Sequence, residues 1–176
     1  MARKLGADAI SGNGTTQPQG LLTALPTPSY STTSGKIILA DLLAAFFGVN
    51  KVYRSQPKCG WLCGDTVYQR IRAAVDDQHR PLLDVQDDRE LLLGKPVYVS
   101  PSVTGVASGN GVLIFGDLDH FHIRVSRPTL QRTTQNSIND ITKGETLWVG
   151  RIRMDSALFD PSSGNAPPIT SITVTQ

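Results

Sequence analysis

The sequence predicts an α+β fold, and three observations carry that reading. Residues 111–127 contain a continuous apolar run, Val112, Leu113, Ile114 and Phe115, then Gly116-Asp117, then an alternating segment. In that segment Phe121, Ile123 and Val125 interleave with His122, Arg124 and Ser126. The first run has the pattern of a strand buried on both faces, the second of a strand with one buried and one wet face. Residues 37–47 and 65–75 carry apolar side chains at helical spacing. Residues 169–175 return to near-alternation, with Ile169, Ile172 and Val174. The two strands of 111–127, joined by Gly-Asp-Leu-Asp, are expected to form a hairpin or tight turn at the middle of a sheet.

Taken in order, residues 2–10 have helical composition but span barely more than two turns, a length marginal in isolation. Residues 11–20 form a stop signal and a turn-rich loop, and 21–35 a Pro-, Ser- and Thr-rich connection. In the 37–47 helix, Ile38, Leu39, Leu42, Leu43 and Phe46 fall on one stripe, and Gly48 ends it. Cys59-Gly-Trp-Leu-Cys63 reads as a short buried strand, with Trp61 placed between the sheet and the next helix. Asp65 is the expected N-cap of that helix, with Val67, Ile71, Ala74 and Val75 on its apolar face. Residues 76–81 close the helix, 84–90 read as a charged loop, and 97–99 as a strand. A glycine-rich loop at 105–111 delivers the chain to the central strands. After Arg127-Pro128 the chain becomes polar and Thr-rich; 146–154 alternates as a long strand, with turns at 155–156 and 159–161. The sum is two clear helices, a mainly antiparallel or mixed sheet, and a second strand-rich part.

The totals narrow the function classes. At 176 residues, 39% hydrophobic and 18% charged, the chain suits one domain or two small interleaved ones. A net charge of +2 falls short of a broad nucleic-acid-binding surface. The most apolar stretch, 37–47, is interrupted by Asp41, and no segment reaches the ~20 apolar residues of a membrane helix. The first residues lack the apolar core of a signal peptide, so a protein made and kept in the cytoplasm is the expectation.

Candidate chemistry is thin. Cys59-x-x-x-Cys63 could give two zinc ligands, but no second Cys/His pair stands at a comparable spacing, so two half-buried strand cysteines are expected. His120-Phe-His122 would set two imidazoles on one side of a strand, with Asp117 and Asp119 just before them. Exposed strand histidines and turn-bonding aspartates are the expectation, against a small metal-binding enzyme using His120, His122 and Asp117. Gly12-Asn-Gly14 fails the dinucleotide fingerprint, and neither the P-loop nor the Gly-x-Ser-x-Gly signature occurs. The acids of 84–90 lack the spacing of a calcium loop. No catalytic, metal or cofactor-binding residue is assigned on these grounds.

The order of certain short pieces resembles the major capsid protein family of tailed bacteriophages, the Hong Kong 97-type shell fold. The pieces are Gly12-Asn-Gly-Thr-Thr-Gln-Pro-Gln-Gly-Leu-Leu22, Cys59-Gly-Trp-Leu-Cys63 before the Asp65 helix, and Leu93-Gly-Lys-Pro-Val97. Ile114-Phe-Gly-Asp117 with Phe121-His-Ile-Arg124, and Arg151-Ile-Arg-Met-Asp155, complete the set. Gly-x-Gly-x-x-Gln-Pro-x-Gly and Phe-Gly-Asp are the most characteristic. Ser156 stands where the family often has Gly, and Val125 where Asp is frequent.

The resemblance implies a shell fold lacking the N-terminal arm and extended loop, its axial domain a mixed or antiparallel sheet flanked by helices. Residues 1–22 would be the remnant of the long helix and loop of the peripheral domain, and 23–125 the axial domain. Residues 126–162 would be peripheral-domain strands, and 163–176 a strand returning to the axial domain. The function implied is structural: many copies form pentamers and hexamers that close into an icosahedral shell around packaged DNA, touched without sequence specificity. Scaffold, head-protease and portal proteins are the further partners implied, with no cofactor and no membrane. The implied location is the virion, with assembly in the host cytoplasm. An encapsulin-like compartment holding a protein cargo is the alternative. The chain reads as a shortened form or a defective prophage product. Its neighbour contacts are therefore expected at the small end of specific interfaces, below about 1,200 Å² in total, leaving it a monomer or small oligomer in dilute solution.

Overall fold

The computed structural model describes residues 2–25, 30–31, 37–76, 78–86, 89–103, 111–133, 147–161 and 167–174. The glycine-rich loop expected at 105–111 lies almost wholly outside the described residues. Helix α1 (Ala2–Ser11) is followed by a closed loop and the one-turn helix α2 (Leu21–Ala24), inside a stretch expected to be irregular. Strand β1 (Tyr30–Ser31), helix α3 (Leu39–Gly48) and the short α4 (Lys51–Arg54) come next. Strand β2 (Cys59–Cys63) leads into helix α5 (Asp65–Ala73). Strands β3 (Leu83–Gln86), β4 (Arg89–Leu92) and β5 (Lys95–Val99) follow. Strand β6 (Gly111–Asp117), a 3₁₀ turn (Leu118–His120) and β7 (Phe121–Val125) fill the stretch that heads the sequence reading. Strands β8 (Thr129–Thr133), β9 (Leu147–Arg151), β10 (Met154–Leu158) and β11 (Ile169–Val174) end the described chain.

Seven strands form one mixed sheet in the order β1-β11-β6-β2-β5-β4-β3, and two separate two-stranded ribbons pair β7 with β10 and β8 with β9. Strand β6 runs antiparallel to β11 on one side and to β2 on the other, with Phe115 opposite both Thr170 and Trp61. Its residues from Val112 to Phe115 are at most 1% exposed, as a run of four apolar residues demands. Alternate residues serve two hydrophobic layers. Leu113 and Phe115 pack with Cys59, Trp61, Cys63, Leu42, Val67 and Ile71, the layer beneath α3 and α5. Val112 and Ile114 pack on the other face with Leu21, Leu25 and Ile169. Trp61 is fully buried, its ring 4.3 Å from that of Phe115 and its Nε1–H donating to the Leu92 carbonyl at 2.9 Å.

The structure corrects several local expectations. Strands β6 and β7 do not pair with each other: β7 leaves the sheet and pairs with β10. A buried Asp117 and the 3₁₀ turn redirect the chain. Ile123 and Val125 are consequently half exposed rather than buried. Helix α3 rests on Leu42, Ala45 and Val49, while Ile38 and Leu39 face water; small Ala45 admits the helix close to the sheet. Gly64, not Asp65, is the N-cap of α5, and Val75 lies beyond the helix, exposed. Of the charged segment 84–90, expected to be a loop, residues 84–86 and 89–90 are strand, in the paired β3 and β4 at the sheet edge, and 87–88 lie outside the described residues. The long strand expected at 146–154 breaks at Ile152-Arg153. There Ser126 N–H donates to the Arg153 carbonyl, and Arg153 N–H to Ser126 Oγ. Asp155 and Ser156, expected in a turn, lie inside β10.

Candidate functional site

The carboxylate-histidine candidates fall at the junction between the sheet and the β7–β10 ribbon. Asp117 is 3% exposed; its Oδ1 accepts the Asp119 N–H at 3.2 Å, and its Oδ2 lies 3.2 Å from His120 Nδ1. His120 sits in the 3₁₀ turn rather than on a strand, half-buried, its ring edge-on to Tyr53 at 4.9 Å. His122, on β7, is exposed and near the Phe159 ring. The two imidazoles thus do not share a strand face, and His120 is not the exposed residue expected. Asp119 is held below the ordinary carboxylate range by its hydrogen bond from Lys58, 2.6 Å away, and that bond in turn raises Lys58. Among the described residues no group of three or more His, Cys, Asp or Glu is placed to hold a metal ion. Asp117 caps the turn, its short side chain accepting the Asp119 N–H where the chain leaves the sheet, while Asp119 pairs with Lys58.

Gly116 explains why the chain can turn there. It has φ +152°, and a Cβ at this position would meet the Pro168 carbonyl oxygen at 2.3 Å. Asp117 N–H donates to that same oxygen at 3.0 Å, which locks the end of β6 to the start of β11. Phe-Gly-Asp is thus a steric and hydrogen-bonding unit. Cys59 and Cys63 are free thiols on the buried face of β2. Burial pushes Cys59 up, and pushes Cys63 up to about 12, so neither offers a thiolate for metal or nucleophile chemistry near neutral pH.

The Gly12 to Gly20 loop is a second built unit. Asn13 Oδ1 accepts the backbone N–H groups of Thr15, Thr16 and Gln17, at 3.0 to 3.1 Å. Gly20 N–H and the Thr23 hydroxyl both donate to the Gly12 carbonyl. A Cβ on Gly12 would lie 2.1 Å from the Pro18 oxygen, and one on Gly20 2.4 Å from the Gly12 nitrogen, so both ends of the loop require glycine. Strand β10 docks on this loop through Ser156, whose Oγ donates to the Gln19 carbonyl at 2.7 Å. The motif is legible in the sequence but its partner is not, because the two residues are 137 positions apart.

Surfaces suited to contact lie on the ribbons and the sheet edge. On β8–β9, Leu130 and Trp148 are 68% and 59% exposed, and the register puts them on one face. On the opposite face Arg127, Arg151 and Arg153 line a groove of about 560 Å³. On the edge hairpin, Tyr68 donates to Glu90 and Arg72 lies 3.4 Å from the same carboxylate, while Val85 stays 62% exposed. Aromatic, aliphatic and arginine side chains presented together are the composition of protein interfaces.

The fold is shared with solved structures. Over 99% of the chain, the subunit is similar to the capsid of the empty GTA particle, with TM-score 0.74 and 18% identity. It is also similar to the Gordonia phage Cozz structure, over 99% of the chain, with TM-score 0.63 and 18% identity. The holo-SrpI encapsulin of Synechococcus elongatus PCC 7942 matches over 100% of the chain at TM-score 0.63 and 12% identity. The chain spans about three fifths of the length of these subunits, 62%, 60% and 62% in turn. No curated protein matches the sequence significantly. The model of the phage capsid family matches residues 1–163, and the chain belongs to that family.

Proposed function

We propose that the protein is a structural major capsid subunit of a tailed phage or prophage, self-assembling into an icosahedral shell around packaged DNA. The family match over residues 1–163 carries the reading, and the likeness to GTA capsid subunits supports the fold behind it. Shell subunits need a rigid body and adhesive margins. The two-layered sheet around β6 supplies the first, and the exposed ribbons and acidic edge hairpin supply the second. Head-to-tail contacts between different patches close into rings when the rotation is right. The role is mechanical rather than catalytic, and its place is the virion, with assembly in the host cytoplasm. Scaffold, head-protease and portal proteins are the partners that such assembly uses. DNA would be confined by the inner wall rather than gripped, since each neutralised phosphate adds affinity that resists packaging.

The domain division proposed is an axial unit of 23–125 and 163–176 and a peripheral unit of 1–22 and 126–162. Insertion of β11 between β1 and β6 supports the first, and the bond from Ser156 to Gln19 supports the second. Strand β7 is the seam, since it closes the 23–125 segment and pairs with β10. Negative-stain microscopy and light scattering of the purified protein at rising concentration test the function. Five- or six-membered rings or closed particles are expected at high concentration. A chain that stays monomeric up to about 1 mM, weaker than ~4 kcal/mol of association, refutes it. The encapsulin likeness favours one second reading, a shell with a protein cargo. Particles containing nuclease-protected DNA support the capsid; particles with a stoichiometric protein guest and no DNA support the compartment.

A further inference from the structure

The net charge of +2 conceals a separation of charge along the chain. Residues 121–133 and 147–161, which hold the four strands outside the seven-stranded sheet, carry five arginines, two aspartates and no lysine. Three of those arginines converge: Arg127, Arg151 and Arg153 line the groove of about 560 Å³. Arg153 is fixed there through its backbone, its N–H donating to Ser126 Oγ and its carbonyl accepting the Ser126 N–H. Thr129 stands opposite Arg151 in the ladder, and with Ser126 and Gln131 it adds hydroxyl and amide donors to the lining. All six side chains are exposed. Among the described residues no acid lines the groove and no ion pair uses its arginines. Thr133 and Leu147, beyond which 134–146 lie outside the described residues, pair at the other end of the ladder. That end is four residues along β8 from Thr129, roughly 13 Å away.

The two faces of the ribbon divide by chemistry. One bears exposed Leu130 and Trp148, the composition of a protein contact. The other offers donors, with half-buried Val149 the one apolar residue described in the groove lining. A protein segment docking there would find little apolar surface to bury. A phosphodiester backbone matches what is offered: its anionic oxygens only accept, and guanidinium forks take them in pairs.

We propose that the groove of Arg127, Arg151 and Arg153 binds the phosphodiester backbone of nucleic acid, without regard to sequence. The inference rests on the shell-subunit reading for the source of that ligand, the packaged DNA, and names the part of the chain that touches it. Contacts to phosphate position a duplex but carry no sequence information. The hold is bounded: three guanidiniums neutralise about three phosphates per copy, for a salt slope near −2.7. So local a contact is compatible with an inner wall that confines DNA rather than gripping it.

Fluorescence anisotropy of a labelled duplex of about 30 base pairs, titrated with the purified protein between about 25 and 150 mM salt, tests the site. Wild type is expected to bind with a Kd of about 1–100 µM at the lowest salt, two duplexes of unrelated sequence agreeing within about twofold. Arg151→Gln with Arg153→Gln should weaken binding about tenfold or more and flatten the salt slope by about 2. Arg151→Lys with Arg153→Lys should keep the slope and lose about threefold, because an ammonium lacks the fork. Lys4→Gln with Lys51→Gln removes the same charge from exposed sites on α1 and α4, and should stay within about twofold of wild type. Unchanged circular dichroism and melting certify each variant as folded. Wild-type affinity in the Arg→Gln pair overturns the assignment, as does an equal loss in the lysine pair. Displacement of the duplex by poly-glutamate at equal charge overturns it in favour of an acidic protein segment. Negative-stain microscopy of the same samples separates this inference from the reading beneath it. Rings or particles without groove-dependent binding sink the site and leave the shell. Groove-dependent binding by a chain that never forms rings leaves the site and sinks the shell.

Discussion

Strand β6 has a hydrogen-bonded neighbour on each edge and an apolar layer on each face, whereas β8 has one neighbour among the described residues and is exposed from Thr129 to Arg132. Both are regular strands, yet their side chains face different tasks. Around β6 nearly every large residue is used within the subunit. Around β8 and β9 they are left over, among them Leu130, Trp148 and three arginines. The contrast teaches where stability and where association reside in this chain: substitutions in the first region should unfold it, and substitutions in the second should separate it from its neighbours.

The strongest blow to the first region is Trp61→Ala. It removes a fully buried ring and deprives the Leu92 carbonyl of its donor, and should cost about 3–5 kcal/mol in denaturant titration. A loss below about 1 kcal/mol would show that the ring is peripheral. Alkali should strike the same layer. The folded Cys63 thiol sits at about 12 against an ordinary 9.0, so burial favours the protonated form. Its contribution is whole below pH 9 and is lost as pH rises from about 9 to 12. Melting temperature against pH reads that limb, and Cys63→Ala should flatten it.

Gly116→Ala comes next, at about 2–3 kcal/mol, because the added methyl meets the Pro168 oxygen on a backbone that side chains rarely adopt. An unchanged denaturation midpoint would mean that the start of β11 yields freely. Ser156→Ala should cost about 1–2 kcal/mol by leaving the Gln19 carbonyl without its donor, and should speed amide exchange in the Gly12 to Gly20 loop. The smallest effect on folding is the sharpest test of the contrast. Leu130→Ser with Trp148→Ser should shift single-chain stability by no more than about 0.5 kcal/mol, yet reduce association in sedimentation.

Much of the inner region was legible in the sequence because burial on both faces leaves a continuous apolar run. Val112 to Phe115 and Cys59 to Cys63 are legible as buried strands on that ground, and 169–175 as a strand by its near-alternation. Trp61 was placed correctly by its position just before the α5 helix. The margins were less legible, for definite physical reasons. An edge strand is charged by design, so β3 and β4 read as a loop. The β6–β7 hairpin was expected from local spacing, but pairing is decided by distant segments: β7 finds β10 and β6 finds β11. In α3 the apolar residues outnumber what one face can hold, and periodicity alone could not show that Ala45 would face the sheet. The glycines at 12, 20 and 116 were recognised as motif positions. Their cause, backbone atoms within 3 Å of a would-be Cβ, exists only once the chain is folded.

The position of β11 in the sheet sets a timetable for synthesis. This strand lies between β1 and β6, yet it follows every other strand in the chain. At translation rates of about 5–20 residues per second, the interval between residues 117 and 174 lasts on the order of 3–10 s. Throughout it, β6 offers one unpaired edge bearing Val112, Leu113, Ile114 and Phe115, a template for strands of other nascent chains. On polysomes, where many copies emerge side by side, the crowded half-sheet is the form that needs a chaperone.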